Sequence, residues 1–380
     1  MTALTLALFW ASAGLLAWVY FGYPALAWAV GRIRPVRLRA DEPMPRRVTV
    51  GLAVHEGAHE IEERLANIVA QDLDAELEIV VASDGSTDDT VRLVEQLASR
   101  DVRIRLLELP RSGQSAAQSA IVEAASGEVV VLTDAETRFE AGLLRMLVAP
   151  FQDRRVGCVT GVLAWHYDRD TDTSRHEGLY WRYEQAVRRW ESRAGWLSSA
   201  TGALLAFRRA IYEPVPAHAS LDQMLPLVAR ARGMLVLVVP EARGSDRGTS
   251  STADQFRSRV RIATQGIAAN MRMARRLAPW RRPGPALAVW SHKILRWMTP
   301  WLVMAAALAA LLLVAGGLAA YAVALGAIGL VFLAALAGLA LRRTGRPMAL
   351  VTFPLTVVLV NACFALAWLN LLLRRRFGAW

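Results

Sequence analysis

Three long stretches of this chain carry no charged side chain, and they constrain its architecture more than any other feature. Residues 1–31 hold no Asp, Glu, Lys or Arg, and the run from Leu4 to Val30 is 27 residues long. A helix needs roughly 20 to cross a bilayer. A cleaved signal peptide has a shorter apolar run and a basic start, so the expectation is a retained transmembrane helix over 1–31. The second run, Trp297 to Leu341, is 45 residues long. That suits two spans, with Gly316–Gly317 or the stretch near Tyr321 as the turn. Ala349 to Leu373 is the third run. The reading is one helix before the central region and about three after it, over 297–373.

The flanking charges suggest an orientation. Arg32, Arg34, Arg37 and Arg39 follow the first run, which places its C-terminal end in the cytoplasm by the positive-inside rule. Arg342, Arg343 and Arg346 precede the last run, and Arg374, Arg375 and Arg376 close it. One span separates these two clusters, so both are cytoplasmic only if one segment is re-entrant. Otherwise the charge bias fails at that end. The expected location is the inner (plasma) membrane, multi-pass, with the central domain in the cytoplasm.

Composition supports a membrane and excludes several classes. Hydrophobic residues make up 54% of the 380, above the roughly 45–50% of soluble domains and ample for a core, which excludes disorder as the main state. Two cysteines, Cys158 and Cys363, exclude a disulfide scaffold and a Cys-based zinc site. Lys+Arg total 44 against 33 Asp+Glu, a net charge of +11. Lys293 is the one lysine, so lysine-based catalysis has almost no place. No nucleic-acid-binding motif accompanies the basic balance, and no nucleic-acid partner is expected. The Arg-rich stretch 272–282 has Met, Leu and Trp among its charges, as in a helix lying on anionic lipid.

The acidic residues concentrate between 41 and 285, where short apolar runs alternate with polar loops as in an α/β domain. The expected division is a cytoplasmic domain over 41–250 and amphipathic interfacial helices over 251–296. Val48–Val54 and Glu78–Ala82 read as buried parallel strands, and 58–70 as an amphipathic helix. The second strand runs into Ser83-Asp84-Gly85-Ser86-Thr87-Asp88. Asp84 therefore stands at the carboxyl end of a strand, where open α/β sheets bind nucleotides; the alternative is a plain turn. Val129–Leu132 is another strand, leading into Thr133-Asp134-Ala135-Glu136. Carboxylates at i and i+2 of an extended segment point the same way. With no His or Cys nearby they suit a hard cation, Mg²⁺ or Mn²⁺, which usually also takes substrate phosphates. A solvated turn is the alternative.

Taken together, these segments resemble the family 2 glycosyltransferases, and specifically their membrane-bound, polysaccharide-synthase-like branch. The resemblance covers roughly 45–270. It is carried by "VTVGLAVHEGAHEIEERLANIVAQDLDAELEIVVASDGSTDDT", "GEVVVLTDAET", "GLYWRYEQAVRRWES", "TGALLAFRR", "LDQMLPLVARARGMLVLVVPEA" and "QFRSRVRIATQG". It implies a GT-A (Rossmann-like) α/β fold, inverting transfer and a nucleotide-diphosphate sugar donor, with a UDP-sugar as the first expectation. By position it implies nucleotide contacts at Asp84, His55, Glu56, Asp134 and Arg261. It also implies metal ligands at Asp134 and Glu136, a catalytic base at Asp222, and acceptor contacts at Gly202, Ala203 and Trp181. Trp181 also suits a membrane-interface anchor, and Arg261 an arginine on an interfacial helix. The family's Gly-Lys is Gly113-Gln114 here, its paired acids near the base are Leu221-Asp222, and of its Q-x-x-R-W only Arg261 survives.

The implied reaction moves a sugar onto a glycan or lipid-linked acceptor at the cytoplasmic membrane face, in exopolysaccharide or cell-envelope glycan synthesis. An export or assembly partner is a further expectation. The departures at Gln114, Leu221 and Ile262 motivate the alternative, a non-catalytic or partner-dependent subunit of a polysaccharide assembly complex.

Overall fold

A computed structural model describes residues 2–166, 172–215, 219–247, 252–277, 280, 282–343 and 349–373. In chain order its main elements are α1 (Thr2–Ala17), α2 (Tyr23–Ile33), β1 (Arg47–Val54), α3 (Ile61–Val69), β2 (Glu76–Asp84), α4 (Thr90–Ala98), β3 (Ile104–Leu109), α5 (Gln114–Ala124), β4 (Val129–Asp134), β5 (Arg138–Phe139), α6 (Leu143–Val148), β6 (Val156–His166) and α7 (Asp172–Ala194). Then follow β7 (Leu205–Arg208), α8 (Leu221–Ala231), β8 (Leu235–Arg247), α9 (Thr252–Met273), α10 (Pro283–Ala288), α11 (Leu295–Trp297), α12 (Thr299–Ala315), α13 (Ala322–Arg343) and α14 (Ala349–Leu372).

The eight strands form one mixed sheet in the order β3-β2-β1-β4-β7-β6-β8-β5. β3, β2, β1 and β4 are parallel neighbours, and β7 turns the sheet antiparallel between β4 and β6. Helices cover both faces of the parallel half, so its strands are apolar on both sides rather than alternating. Val48, Val50 and Leu52 point to one face, against Ile61, Leu65 and Ile68 of α3. Ala53, Val80, Ala82 and Leu132 point to the other, against Ile121 of α5 and Leu225 of α8. The chain is therefore the α/β, Rossmann-like type expected, and the carboxyl ends of β1, β2 and β4 open on one edge of the sheet.

Among the described residues, three helices are long and apolar enough to cross a membrane: Thr2–Ile33, Ala319–Leu341 and Val351–Leu372. A fourth candidate is the pair Pro283–Trp297 and Thr299–Ala315, bent by 62° at its break. α12 and α13 are joined by a turn at Gly316–Gly317, with Gly317 at φ +92°, and a short 3₁₀ segment at Ala319–Tyr321. The N-terminal helix packs along α12 through Phe9, Ala306, Ala309 and Leu313. Lower down, Tyr23 and Ala27 pack against Val187 of α7 and Ala288. Ala263 and Ile267 of α9 dock on Trp297, Val360, Phe364 and Ala367. Outward-facing Leu311, Val323, Leu330 and Leu333 stay exposed, a surface suited to hydrocarbon.

Candidate active site

The strand-end loops build the first part of the site. Asp84 closes β2 and is fully buried. Its Oδ1 accepts the Ser112 backbone N–H at 2.7 Å, and its Oδ2 accepts that of Gly113 at 2.9 Å and Arg111 Nη1 at 3.2 Å. Gly113 at φ +94° permits this approach, since a Cβ is disfavoured in that backbone region. Asp84 thereby pins the loop that starts α5. His55 Nδ1 donates to the Asp84 carbonyl at 3.0 Å. Glu56, with φ +53°, accepts from Thr87 N–H at 2.7 Å and Thr87 Oγ1 at 3.1 Å. His55 and Glu56 therefore tie the β1 loop to the β2 loop.

Asp134 ends β4, and Glu136 lies in the turn that follows. The chain is not extended across 134–136, so strand alternation is not what relates the two carboxylates; a turn closed by Thr137 N–H on the Asp134 carbonyl at 3.3 Å does so instead. Gln114 Nε2 donates to Asp134 Oδ1 at 3.0 Å. The position that carries a lysine in the resembling pattern thus reaches the Asp134 carboxylate with a neutral amide, while Arg111 turns to Asp84. Beneath the loop lies Arg64, fully buried. It donates to Thr133 Oγ1 at 2.7 Å, to Asn67 Oδ1 at 2.7 Å and to the Asp134 carbonyl at 3.2 Å. Its guanidinium stacks on Phe139, 4.1 Å from the ring centroid.

The carboxylates act on one another. Burial pushes the Asp134 carboxyl up to about 7, aided by the charges of Asp246, Asp222 and Glu136. Burial also raises Glu136, again with Asp246 contributing. Asp246 is a residue that sequence reading does not pick out. It lies on β8 opposite Trp165 of β6, one residue past the Arg138–Ser245 pair that joins β5 to β8. Nothing in "EARGSDRGTS" distinguishes it from a solvated turn; the sheet pairing alone brings it to the site.

Asp222 is the second residue of α8. Burial raises its pKa, while the Ser220 hydroxyl, the Gln223 backbone N–H and the Arg261 charge on α9 oppose that shift. Gly202 opens a 3₁₀ turn, Gly202–Leu204, against it. A Cβ at Gly202 would stand 3.2 Å from Asp222 Oδ2, so only a hydrogen there leaves that carboxylate uncrowded. Ala203 is buried beside it. Trp181 directs its indole N–H to the Leu163 carbonyl of β6 at 3.4 Å. Asp134, Glu136 and Asp222 thus share one electrostatic neighbourhood, which Arg261 reaches; Asp84, His55 and Glu56 form an adjoining loop network.

The donor set fits a hard divalent cation. It consists of carboxylates whose charges raise one another's proton affinity, a situation that a dication relieves. Among the described residues no group of three His, Cys, Asp or Glu side chains is assembled closely enough to hold an ion. An ion there would complete its shell with ligand oxygens, as magnesium-type sites commonly do.

Residues 49–215 match the family model described as "Glycosyl transferase family 2". This is a family 2 glycosyltransferase domain. An N-acetylglucosaminyltransferase of Mesorhizobium japonicum is 24% identical over 239 residues, 59% of this chain and 56% of the relative. One of Bradyrhizobium elkanii is 31% identical over 111 residues, 29% of this chain and 61% of the relative. The chain thus spans about half the length of the curated relatives it matches. A solved mannosyltransferase, PcManGT from Pyrobaculum calidifontis in complex with GDP-Man and Mn²⁺, superposes with a TM-score of 0.66 at 25% identity, covering 99% of each chain. The glycosyltransferase domain therefore carries the GT-A fold of its family, and likeness to PcManGT extends over the flanking helices as well.

Proposed function

We propose that this chain transfers a sugar, with inversion, from a nucleotide-diphosphate donor to an acceptor hydroxyl at the cytoplasmic membrane face, in the synthesis of an envelope glycan or exopolysaccharide. One observation carries the reading. Within a family 2 domain, the strand-end carboxylate Asp134 and the helix-start carboxylate Asp222, both half-buried, act on each other's charge, with Gly202 leaving Asp222 uncrowded.

Each group has work that its position allows. Asp222 takes the proton from the attacking hydroxyl, a poor nucleophile without a base. Burial holds its pKa above the usual carboxylate value, which strengthens it as a base. The 111–113 loop, pinned by Asp84, walls the nucleoside side together with His55 and Glu56. Asp134 and Glu136 would hold a divalent cation, Mn²⁺ or Mg²⁺, which would supply Lewis-acid stabilisation of the departing diphosphate. Arg261, whose charge reaches Asp222, offers a guanidinium to the phosphates. Gly202, Ala203 and Trp181 border the acceptor. The GlcNAc-transferase relatives support a UDP-sugar donor, while PcManGT, solved with GDP-Man, supports a GDP-sugar as the second choice. The glycan or lipid-linked acceptor is presented at the bilayer, and any export partner acts after transfer.

The test is release of nucleoside diphosphate from a panel of UDP- and GDP-sugars by the purified chain in lipid nanodiscs, with Mn²⁺ and a lipid extract. Release from one donor that is metal-dependent and lost in Asp134→Ala and Asp222→Asn supports the proposal. Release that persists in Asp222→Asn overturns the assignment of the base.

A further inference from the structure

Helix α7 separates the glycosyltransferase domain from the membrane helices, and its two faces differ. Tyr183, Glu184, Val187 and Glu191 face the membrane side. Glu184 takes Arg296 Nη1 at 2.7 Å, His292 Nε2 at 3.1 Å and Lys293 Nζ at 3.3 Å. Glu191 takes the Tyr23 hydroxyl at 2.5 Å and His292 Nδ1 at 2.8 Å. Tyr183 donates to the Tyr20 carbonyl at 3.0 Å. Trp181, Arg188 and Ser192 face the domain. Trp181 and Ser192 bond the β6 and β8 backbone at Leu163 and Val238.

Arg188 is the unusual member of the second face. It is 3% exposed. Its Nη1 donates to Thr201 Oγ1 at 2.9 Å, while Nε and Nη2 have no hydrogen-bond partner among the described residues. Thr201 is in turn held by its own N–H on Thr160 Oγ1 at 3.0 Å. The next residue is Gly202, where an added Cβ would stand 3.2 Å from Asp222 Oδ2. A guanidinium buried this deeply is costly unless charge compensates it. The charges that act on it are Glu184, Glu191 and Asp222. The first two are already matched by His292, Lys293, Arg296 and Tyr23, while the charge of Arg261 also acts on Asp222.

We propose that Arg188 is a positioning residue for the transfer site: clamped from the membrane side through α7, it holds the Thr201–Gly202 turn against Asp222 and sets where that carboxylate meets the acceptor. This rests on the assignment of Asp222 as base. Neither the resemblance nor the helix pattern singles Arg188 out from Arg189 beside it; only the packing of α7 does.

The test uses the full-length chain in nanodiscs and compares Arg188→Met, Arg188→Lys and Thr201→Val. Misplacement of a catalytic group by about 1 Å costs on the order of 100-fold in rate. Arg188→Met should therefore lose about 100-fold in kcat while the donor KM stays within about two-fold. Arg188→Lys, which keeps the charge and one donor to Thr201, should recover most of that loss. Thr201→Val should lose about ten-fold, again in kcat. A kcat unchanged in Arg188→Met, a loss lying mainly in the donor KM, or folded Lys and Met variants equally impaired would each overturn the proposal. Should Arg188→Met fail to fold, Thr201→Val decides: an unchanged kcat there also overturns it. Activity that survives Asp222→Asn overturns the assignment of the base instead. Activity lost in Asp222→Asn but intact in both Arg188→Met and Thr201→Val overturns Arg188 alone.

Discussion

Two charge clusters, one buried and one half-buried, lie on opposite sides of α7, and they are solved in opposite ways. On the membrane side, Glu184 is enclosed by His292, Lys293 and Arg296. Burial alone would raise its pKa, but these cations outweigh burial and hold it well below the usual carboxylate value. At the sheet edge, Asp134 sees Asp246, Asp222 and Glu136, and its carboxyl is pushed up to about 7. Arg64 beneath it does not cancel these. One cluster is matched and works as a joint between membrane helices and domain. The other is left in carboxylate excess, the feature on which the proposed site for a cation and a diphosphate rests.

The largest expected effect breaks the reactive cluster. Asp222→Asn should lower kcat by at least about 100-fold, the usual scale for removing a general base, with the melting temperature little changed. A rate within ten-fold of the parent would mean that this carboxylate has no such role. The matched cluster should respond the other way round. Glu184→Gln leaves buried cations uncompensated and should cost about 3–5 kcal/mol of stability, read as a fall in thermal midpoint in detergent. A midpoint unchanged within a degree would show that the cluster is not a structural joint.

A third prediction uses the raised proton affinity of Asp134. A carboxyl whose pKa rises on folding binds its proton more tightly folded than unfolded. Its ionised form therefore opposes folding above about pH 7, and the effect disappears below its unfolded pKa near 4. A cation must displace that proton, so Mn²⁺ affinity should weaken up to about ten-fold per unit as pH falls below 7. Calorimetry at pH 8 and pH 6 checks this, and equal affinities would contradict it. The smallest effect is expected at the exposed pair of Arg47 with Glu76. Arg47→Ala should leave both midpoint and rate unchanged, since exposed pairs contribute little.

Much of the fold and part of the site are legible in the linear order of residues. Charge-free runs announce helices long and apolar enough to cross a bilayer, because a bilayer excludes charge whatever the fold. Val48–Val54, Glu78–Ala82 and Val129–Leu132 announce strands buried on both faces, because continuous apolar runs of that length have few other uses. Asp84 and Asp134 stand out because strand ends in such sheets are where loops meet ligands. The pattern at 134–136 predicts an extended segment and the chain turns there instead, since the hydrogen bond closing that turn depends on the loop's own geometry rather than on residue type.

Other residues depend on tertiary structure alone. Asp246 reaches the site through pairing of β8 with β5 and β6, partners far away in sequence. Arg64 reads as a surface arginine on an amphipathic helix until α3 is laid across β4. Arg188 and Arg189 are equivalent in the sequence; burial between a matched cluster and an unmatched one separates them. By itself, the sequence determined what is local and repetitive: apolar periodicity, span length, and the residue types that end strands. Only the tertiary structure decided which charges would be buried together and which would find a partner, because that energy depends on distance and desolvation between segments that the linear order keeps apart.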